Sequence, residues 1–292
     1  MQSNNPVFRR SEAFNGQATG QANAYGNQTY AGNGSSYAGY GDPATWGTGT
    51  PGSPTTQGTE RRGPMTIDSV VQASAISFAA VLVAAAVTWY MTPEITADMP
   101  SSQLSGIFAA MTIGSLAAFG LSMVNSFKRV VSPALVLAFC LAEGVALGAI
   151  SKFFDAQFED HIVMSAVLGT FGAFIGTLAA YKFFNIKVGA KFRTFVIAAM
   201  FGMVGLGLLE MVLSAFGNST GIFGFGSAGL LFAAAGLVLG VFMLILNFDF
   251  VEKGVAAGLP ERESWRAAFA LTVSLVWIYT NLLRLLAIFS QD

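Results

Sequence analysis

The sequence predicts an all-α protein that crosses a lipid bilayer seven times. Three observations carry this. Apolar residues make up 53 % of the chain and charged residues only 11 %, against about 25 % charge in soluble domains. Seven runs are long and apolar enough to cross a bilayer. The basic residues fall in every second break between those runs.

A bilayer core takes about 20 mostly apolar helical residues to cross. The qualifying stretches are 67–91, 104–127, 133–154, 162–183, 194–216, 227–250 and 266–289. Each is followed by a polar or Gly/Pro break, such as TPEITADMPSSQ, KRVVSPA, NIKVGAKFR or GLPERES. A closed barrel would also satisfy the backbone in lipid, but it needs alternating strands of about ten residues, and these runs are longer and unbroken. Orientation follows the distribution of Lys and Arg. Arg61 and Arg62 precede the first run, and Lys128 and Arg129 follow the second. Lys182, Lys187, Lys191 and Arg193 lie between the fourth and fifth, and Lys253, Arg262 and Arg266 between the sixth and seventh. The intervening breaks hold Glu94 and Asp98, then Lys152 with Asp155, Glu159 and Asp160, then the uncharged GNSTGIFGFGS. The N-terminus is therefore expected in the cytoplasm and the C-terminus outside.

Two segments follow. Residues 64–292 form the seven-helix transmembrane domain. Residues 1–63 are rich in Gly, Asn, Gln, Ser, Thr and Tyr and have no apolar centre of the kind a secretory signal needs. They are read as a disordered cytoplasmic tail, because they bury too little apolar surface to offset their ordering entropy. Tyr25, Tyr30, Tyr37 and Tyr40 are its candidate contact residues. A net charge of −1 gives no basic face for nucleic acid. With Cys140 the single cysteine and His161 the single histidine, an intramolecular disulfide and cysteine- or histidine-rich metal sites are excluded.

The informative residues are the polar ones at membrane depth, since a charge at a span centre costs about 2.5–3.5 kcal/mol on insertion scales. Glu143 lies near the middle of the third run. Glu210 and Arg284 lie at similar depth in the outer thirds of the fifth and seventh. Asp249 and Glu252 end the sixth, with Asn247 just inside them. Asn125 ends the second, and Ser274 and Asn281 lie in the seventh. Glu210 and Arg284 read either as a buried ion pair or as part of an ion pathway. Asp249 reads as a partner of Lys253 one turn on, as an interfacial side chain, or as a pathway residue. Glu143 has no basic residue at its depth, which makes it a pathway candidate. The pairs Gly144/Gly148, Gly172/Gly176 and Gly236/Gly240 are expected to let helices approach closely.

GNSTG at 217–221 fits the hydrolase pattern G-x-S-x-G, but it sits in an outer break without the strand–turn–helix setting or the His partner that chemistry needs. The sequence has no phosphate-binding G-x-x-x-x-G-K-[ST] and no H-E-x-x-H. No enzymatic activity and no cofactor are expected.

SPALVLAFCLAEGVALGAISKFFD, LNFDFVEKGV and VSLVWIYTNLLRLLAIF resemble the third, sixth and last spans of the Bax-inhibitor family, also called transmembrane Bax-inhibitor-motif or YccA-like proteins. The resemblance covers about residues 64–292, and SNNPVFRR resembles the tail opening of bacterial members. It implies three antiparallel hairpins around a central last helix. It also implies, in some relatives, a pH-sensitive calcium leak gated by two aspartates that share a proton. Asp249 matches the first aspartate. The second falls at or near Ser274, and no carboxylate lies between Glu263 and Asp292, so the pair is incomplete. The expected function is a passive cation or Ca²⁺ leak in the bacterial plasma membrane, with Ca²⁺ as the permeant ion in passing contact with Asp249. The pathway candidates are Asp249, Glu143, Glu210, Asn247, Ser274 and Asn281. The alternative is a non-transporting regulator that binds membrane proteins or a membrane protease. The bilayer is the partner under either reading.

Overall fold

Helices form where the apolar runs lie because lipid offers no hydrogen bonds to the backbone, and a helix satisfies its amides within one segment. The computed structural model describes residues 63–95, 101–158 and 161–291, without the side chains of 101–103. The expectations for the tail, and for Asp98, Glu159 and Asp160, lie outside the described residues. The elements are α1 (Ile67–Met91), α2 (Ser101–Phe127), α3 (Pro133–Gln157), α4 (Ile162–Phe183), α5 (Ala190–Ala215), α6 (Ser227–Ala256) and α7 (Glu263–Phe289). All seven are long and apolar enough to cross a membrane.

Several helices outlast their apolar runs. α5 starts at Ala190 and α6 continues to Ala256, which carries Arg193, Glu252 and Lys253 into helical geometry. Caps set the ends. Before α1, Thr66 and Ser69 form a reciprocal capping box. Pro133 opens α3, where its missing N–H costs nothing. Beyond α6, Gly258 takes φ 63° and Leu259 N donates to Gly254 O at 3.1 Å, a left-handed stop that favours glycine.

One face of the bundle is tied by backbone. Met65 N donates to Leu259 O at 2.6 Å, and Glu261 N to Gly63 O at 3.0 Å. Ser69 Oγ and Ser264 Oγ lie 2.7 Å apart. Arg266 Nη2 donates to Arg129 O at 2.8 Å. The start of α1 and the α2–α3 and α6–α7 connections therefore meet at one end, the basic end of the bundle.

α7 is central and packs against α1, α3, α4 and α6. The chain path runs up and down as hairpins, but chain neighbours are not always packing partners. α1 makes no close approach to α2 and lies instead along α3, and α2 leans on α3 alone. The reason is in α3. A Cβ on Gly144 would meet Val81 O at 2.5 Å and Ala84 Cβ at 2.6 Å, and one on Gly148 would meet Ala85 O at 2.5 Å. Lipid tails are as apolar as Leu, so backbone proximity rather than water exclusion drives this pairing. Gly240 does the same against Ile278 and Trp277, and Gly236 against Asn281. The third expected pair differs: Gly172 and Gly176 meet nothing within 4 Å, so they contribute no packing here.

α5 is the least attached helix. Its buried residues Val196, Met203 and Glu210 recur every seven positions and make one narrow stripe, which packs on α6 at Leu239, Phe242 and Leu246. Phe192, Ala199 and Met200 flank the stripe half-buried, and most of its other apolar residues, such as Phe201 and Met211, are exposed.

Substituting Gly148 by Ala should cost about 1–3 kcal/mol by overpacking. Gly176→Ala should be neutral or stabilising by up to about 1 kcal/mol through helix propensity. Thermal melting in detergent distinguishes them.

Candidate functional site

The charged centre lies at the basic end of α6. Asp249 points inward, with its side chain only 5 % exposed. Lys253, one turn on, brings Nζ to 2.7 Å from Oδ1. Arg193, at the start of α5, brings Nη2 to 3.1 Å from Oδ2. Both cations are about half exposed, so their stems reach in from the membrane surface while their charges stay hydrated. Two cations on one carboxylate offset the desolvation that burial costs. The expected Asp249–Lys253 pair is therefore present. Arg193 is the partner that sequence reasoning missed, because it was read as a loop charge.

Asn247 and Ser274 extend this centre into α7. Asn247 Nδ2 donates to Ser274 Oγ at 2.8 Å and to Ala270 O at 3.1 Å. Ser274 Oγ in turn donates to Ala270 O at 3.1 Å. Ser274 thus faces Asn247, two residues before Asp249, and makes no hydrogen bond to Asp249. Glu252 accepts from Tyr181 Oη at 2.5 Å, which joins α4 to the same end.

Glu210 and Arg284 do not form the expected ion pair. The Glu210 carboxylate is taken by the α5–α6 connection. It accepts from Ser219 Oγ at 2.6 Å, Thr220 N at 3.0 Å and Gly221 N at 3.2 Å, and also from the Thr220 hydroxyl. Arg284 Nη2 donates to Ile222 O at 2.7 Å, and its guanidinium lies 5.5 Å from the Phe223 ring centre and 5.8 Å from that of Phe232. Backbone amides and hydroxyls can converge on a carboxylate, and a carbonyl and aromatic faces suit a guanidinium. The two charges therefore hold one loop from two helices instead of each other. Gly217 and Gly221 at φ 78° and 81° supply the turns this needs. The GNSTG hydroxyl at Ser219 is committed to Glu210, not to a histidine.

Asn281 Nδ2 donates to Trp277 O at 2.8 Å in its own helix, and Trp277 Nε1 donates to Gly236 O at 2.8 Å. Glu143 stands apart. It is half-buried among buried neighbours Phe139, Cys140, Ala146 and Leu147, and it makes no hydrogen bond or ion pair among the described residues. The buried Ser74 and Ser77 hydroxyls and the Asn125 side-chain carbonyl are also unpartnered.

Two cavities follow the narrow stripe of α5. One of about 190 Å³ lies toward the basic end and is lined by Val196, Met200, Met243 and Asn247. One of about 650 Å³ lies toward the other end and is lined by Glu210, Ser219, Phe232 and Trp277. The α5 seam thus has Asn247 at one end and Glu210 at the other. Asp249, Asn247 and Ser274 come together at the basic end, whereas Glu143 lines neither cavity. Among the described residues no group of three or more His, Cys, Asp and Glu side chains could hold a metal ion.

Seven helices long and apolar enough to cross a membrane, with a buried acid held by two cations at the basic end of α6, define a multi-span helical membrane protein. The chain belongs to the Bax inhibitor 1 like family, whose model matches residues 5–291. No curated protein matches it.

Double-mutant cycles in detergent melting check the loop assignment. Glu210→Gln with Thr220→Val should show a coupling of about 0.5–3 kcal/mol, as contacting groups do. Glu210→Gln with Arg284→Gln should show a smaller one.

Proposed function

We propose that the protein is a passive cation conduit, with Ca²⁺ as the permeant ion, whose path follows the α5 seam. The observation that carries this reading is the buried Asp249 carboxylate bridged by Arg193 to α5, the least attached helix. Calcium takes oxygen ligands. Glu210 and Asn247 line the two cavities of the α5 seam, Ser274 and Asp249 lie next to Asn247, and Asn281 lies at the α6–α7 contact. In the state described, the cations on Asp249 occupy the position a permeating ion would need, so the pair acts as a latch. Releasing Arg193 frees the basic end of α5, and the two cavities can then join. Glu143, away from this seam, takes no part.

The distribution of Lys and Arg supports placing the basic end in the cytoplasm of a bacterial cell, with the N-terminal tail on that side and the C-terminus outside. In a Cys140→Ala background, cysteines at Ser219 and Gln291 should react with an impermeant reagent from outside, and cysteines at Lys187 and Gly258 should not. Outside labelling at Lys187 reverses the orientation.

A second reading, a non-transporting regulator of other membrane proteins such as a protease, is favoured by the wide apolar faces that α2 and α5 leave uncovered. Calcium flux into liposomes containing the full chain separates the two. A conduit gives flux above empty vesicles, and a regulator gives none. A charge-assisted contact is worth about 1.5–3 kcal/mol, so Asp249→Asn should lower flux and Arg193→Gln should raise it, each about tenfold or more. Because α7 offers Ser274 in place of a second carboxylate, wild-type flux should vary little across neutral pH. Ser274→Asp should make it steep, since two close carboxylates compete for one proton. A steep wild-type response that survives Asp249→Asn would remove Asp249 from the gate.

A further inference from the structure

A third cavity, on the other side of the bundle, has a different chemistry from the α5 seam. α1 and α4 make no close approach to each other, and between them runs a groove of about 260 Å³ floored by α3 and α7. Leu82, Ala86 and Trp89 form one wall and Val163, Val167 and Phe171 the other. An apolar cavity of about 150 Å³ already holds benzene, so this one accommodates a longer hydrocarbon. The hydroxyls that line it are paired within the protein. Ser151 Oγ and Tyr279 Oη share a 2.6 Å hydrogen bond. Thr170 donates to Ala166 O at 2.7 Å and Thr272 to Ala268 O at 2.8 Å. The groove is therefore overwhelmingly apolar and suits a hydrocarbon rather than an ion.

Its length and ends are those of one lipid leaflet. Phe78 stands edge-on to Phe174, with ring centres 6.4 Å apart, and closes the inner end between α1 and α4. Trp89 marks the mouth. From Phe78 to Trp89 the helix rises about 16 Å, roughly half of the 30 Å bilayer core. At the mouth the Lys152 ammonium lies 4.9 Å above the Trp89 ring. Among the described residues no carboxylate pairs with it, although Asp155 is three residues on. An aromatic ring with a cation above it at headgroup level suits an anionic headgroup.

We infer that the α1–α4 groove is a binding site for an anionic phospholipid, with one acyl chain along the groove and the phosphate on Lys152. The site is independent of any conduit along α5. The test uses the purified full chain, stripped of lipid in detergent and titrated with phosphatidylglycerol or phosphatidylcholine of the same acyl chains. Bound lipid per chain and melting temperature are the readouts. Phosphatidylglycerol should saturate at one molecule per chain and raise the melting temperature, with phosphatidylcholine about tenfold weaker. Lys152→Gln should bring the first lipid down to the level of the second, and Lys152→Arg should retain the preference. Ala86→Trp, which adds bulk at an exposed position on the groove wall, should abolish binding of both. Equal binding of the two lipids, or a preference that survives Lys152→Gln, overturns the headgroup assignment. A dimer that takes up no lipid overturns the site, because a second copy then covers the groove.

Discussion

A bilayer supplies no water to satisfy polar groups, and nearly every arrangement in this protein answers that constraint. Backbone amides are consumed within seven helices. Hydroxyls within the spans donate to carbonyls one turn back, as Thr88, Thr170, Thr272 and Thr280 do. The buried charges are met by whatever donors or acceptors lie nearest. Asp249 takes two side-chain cations, Glu210 takes a loop, and Arg284 takes a carbonyl and two aromatic faces. The compensation at Asp249 is local through Lys253 and long-range through Arg193, whereas that at Glu210 comes wholly from the connection that follows its helix. This joins helices that hydrophobicity alone cannot sort, because their surfaces and the lipid are alike.

Packing in such a medium depends on how closely backbones can approach. α7 touches four helices and carries much of the buried polar surface, including Thr272, Ser274 and Asn281. α5 carries one narrow stripe and one long-range ion pair. The bundle is therefore uneven: a tight group of α1, α3, α6 and α7 is built on Gly144, Gly148, Gly236 and Gly240, and α5 borders cavities. The α5 cavities lie where the packing is loosest, and the apolar groove lies where the α1 and α4 backbones stand apart.

Span number and rough limits were legible in the sequence because the apolar signal is long and the breaks are polar. The Asp249–Lys253 pair was legible because helical spacing alone brings the two together. Arg193 was not, since its pairing depends on α5 beginning four residues before the apolar run and leaning on α6. Equal depth suggested that Glu210 and Arg284 would meet, but depth fixes only one coordinate. The loop between α5 and α6 returns far enough into the bundle to claim both. Gly172 and Gly176 show the same limit, since their spacing permits a close approach but does not supply a neighbour. The absence of an ion-pair partner for Glu143 was legible from the lack of any basic residue at its depth, whereas the absence of a hydrogen bond was not.

The two backbone hydrogen bonds that tie Gly63 and Met65 to Glu261 and Leu259 form a clasp worth about 1 kcal/mol per bond. Because the clasp precedes α1, tension on the chain upstream of Gly63 is delivered to the link between α6 and α7 before it can be borne by α1 alone. That link starts one helical turn beyond Lys253, which holds Asp249. Displacement of Gly63 and Met65 is therefore coupled through backbone to the end of α6 and the Asp249 pair.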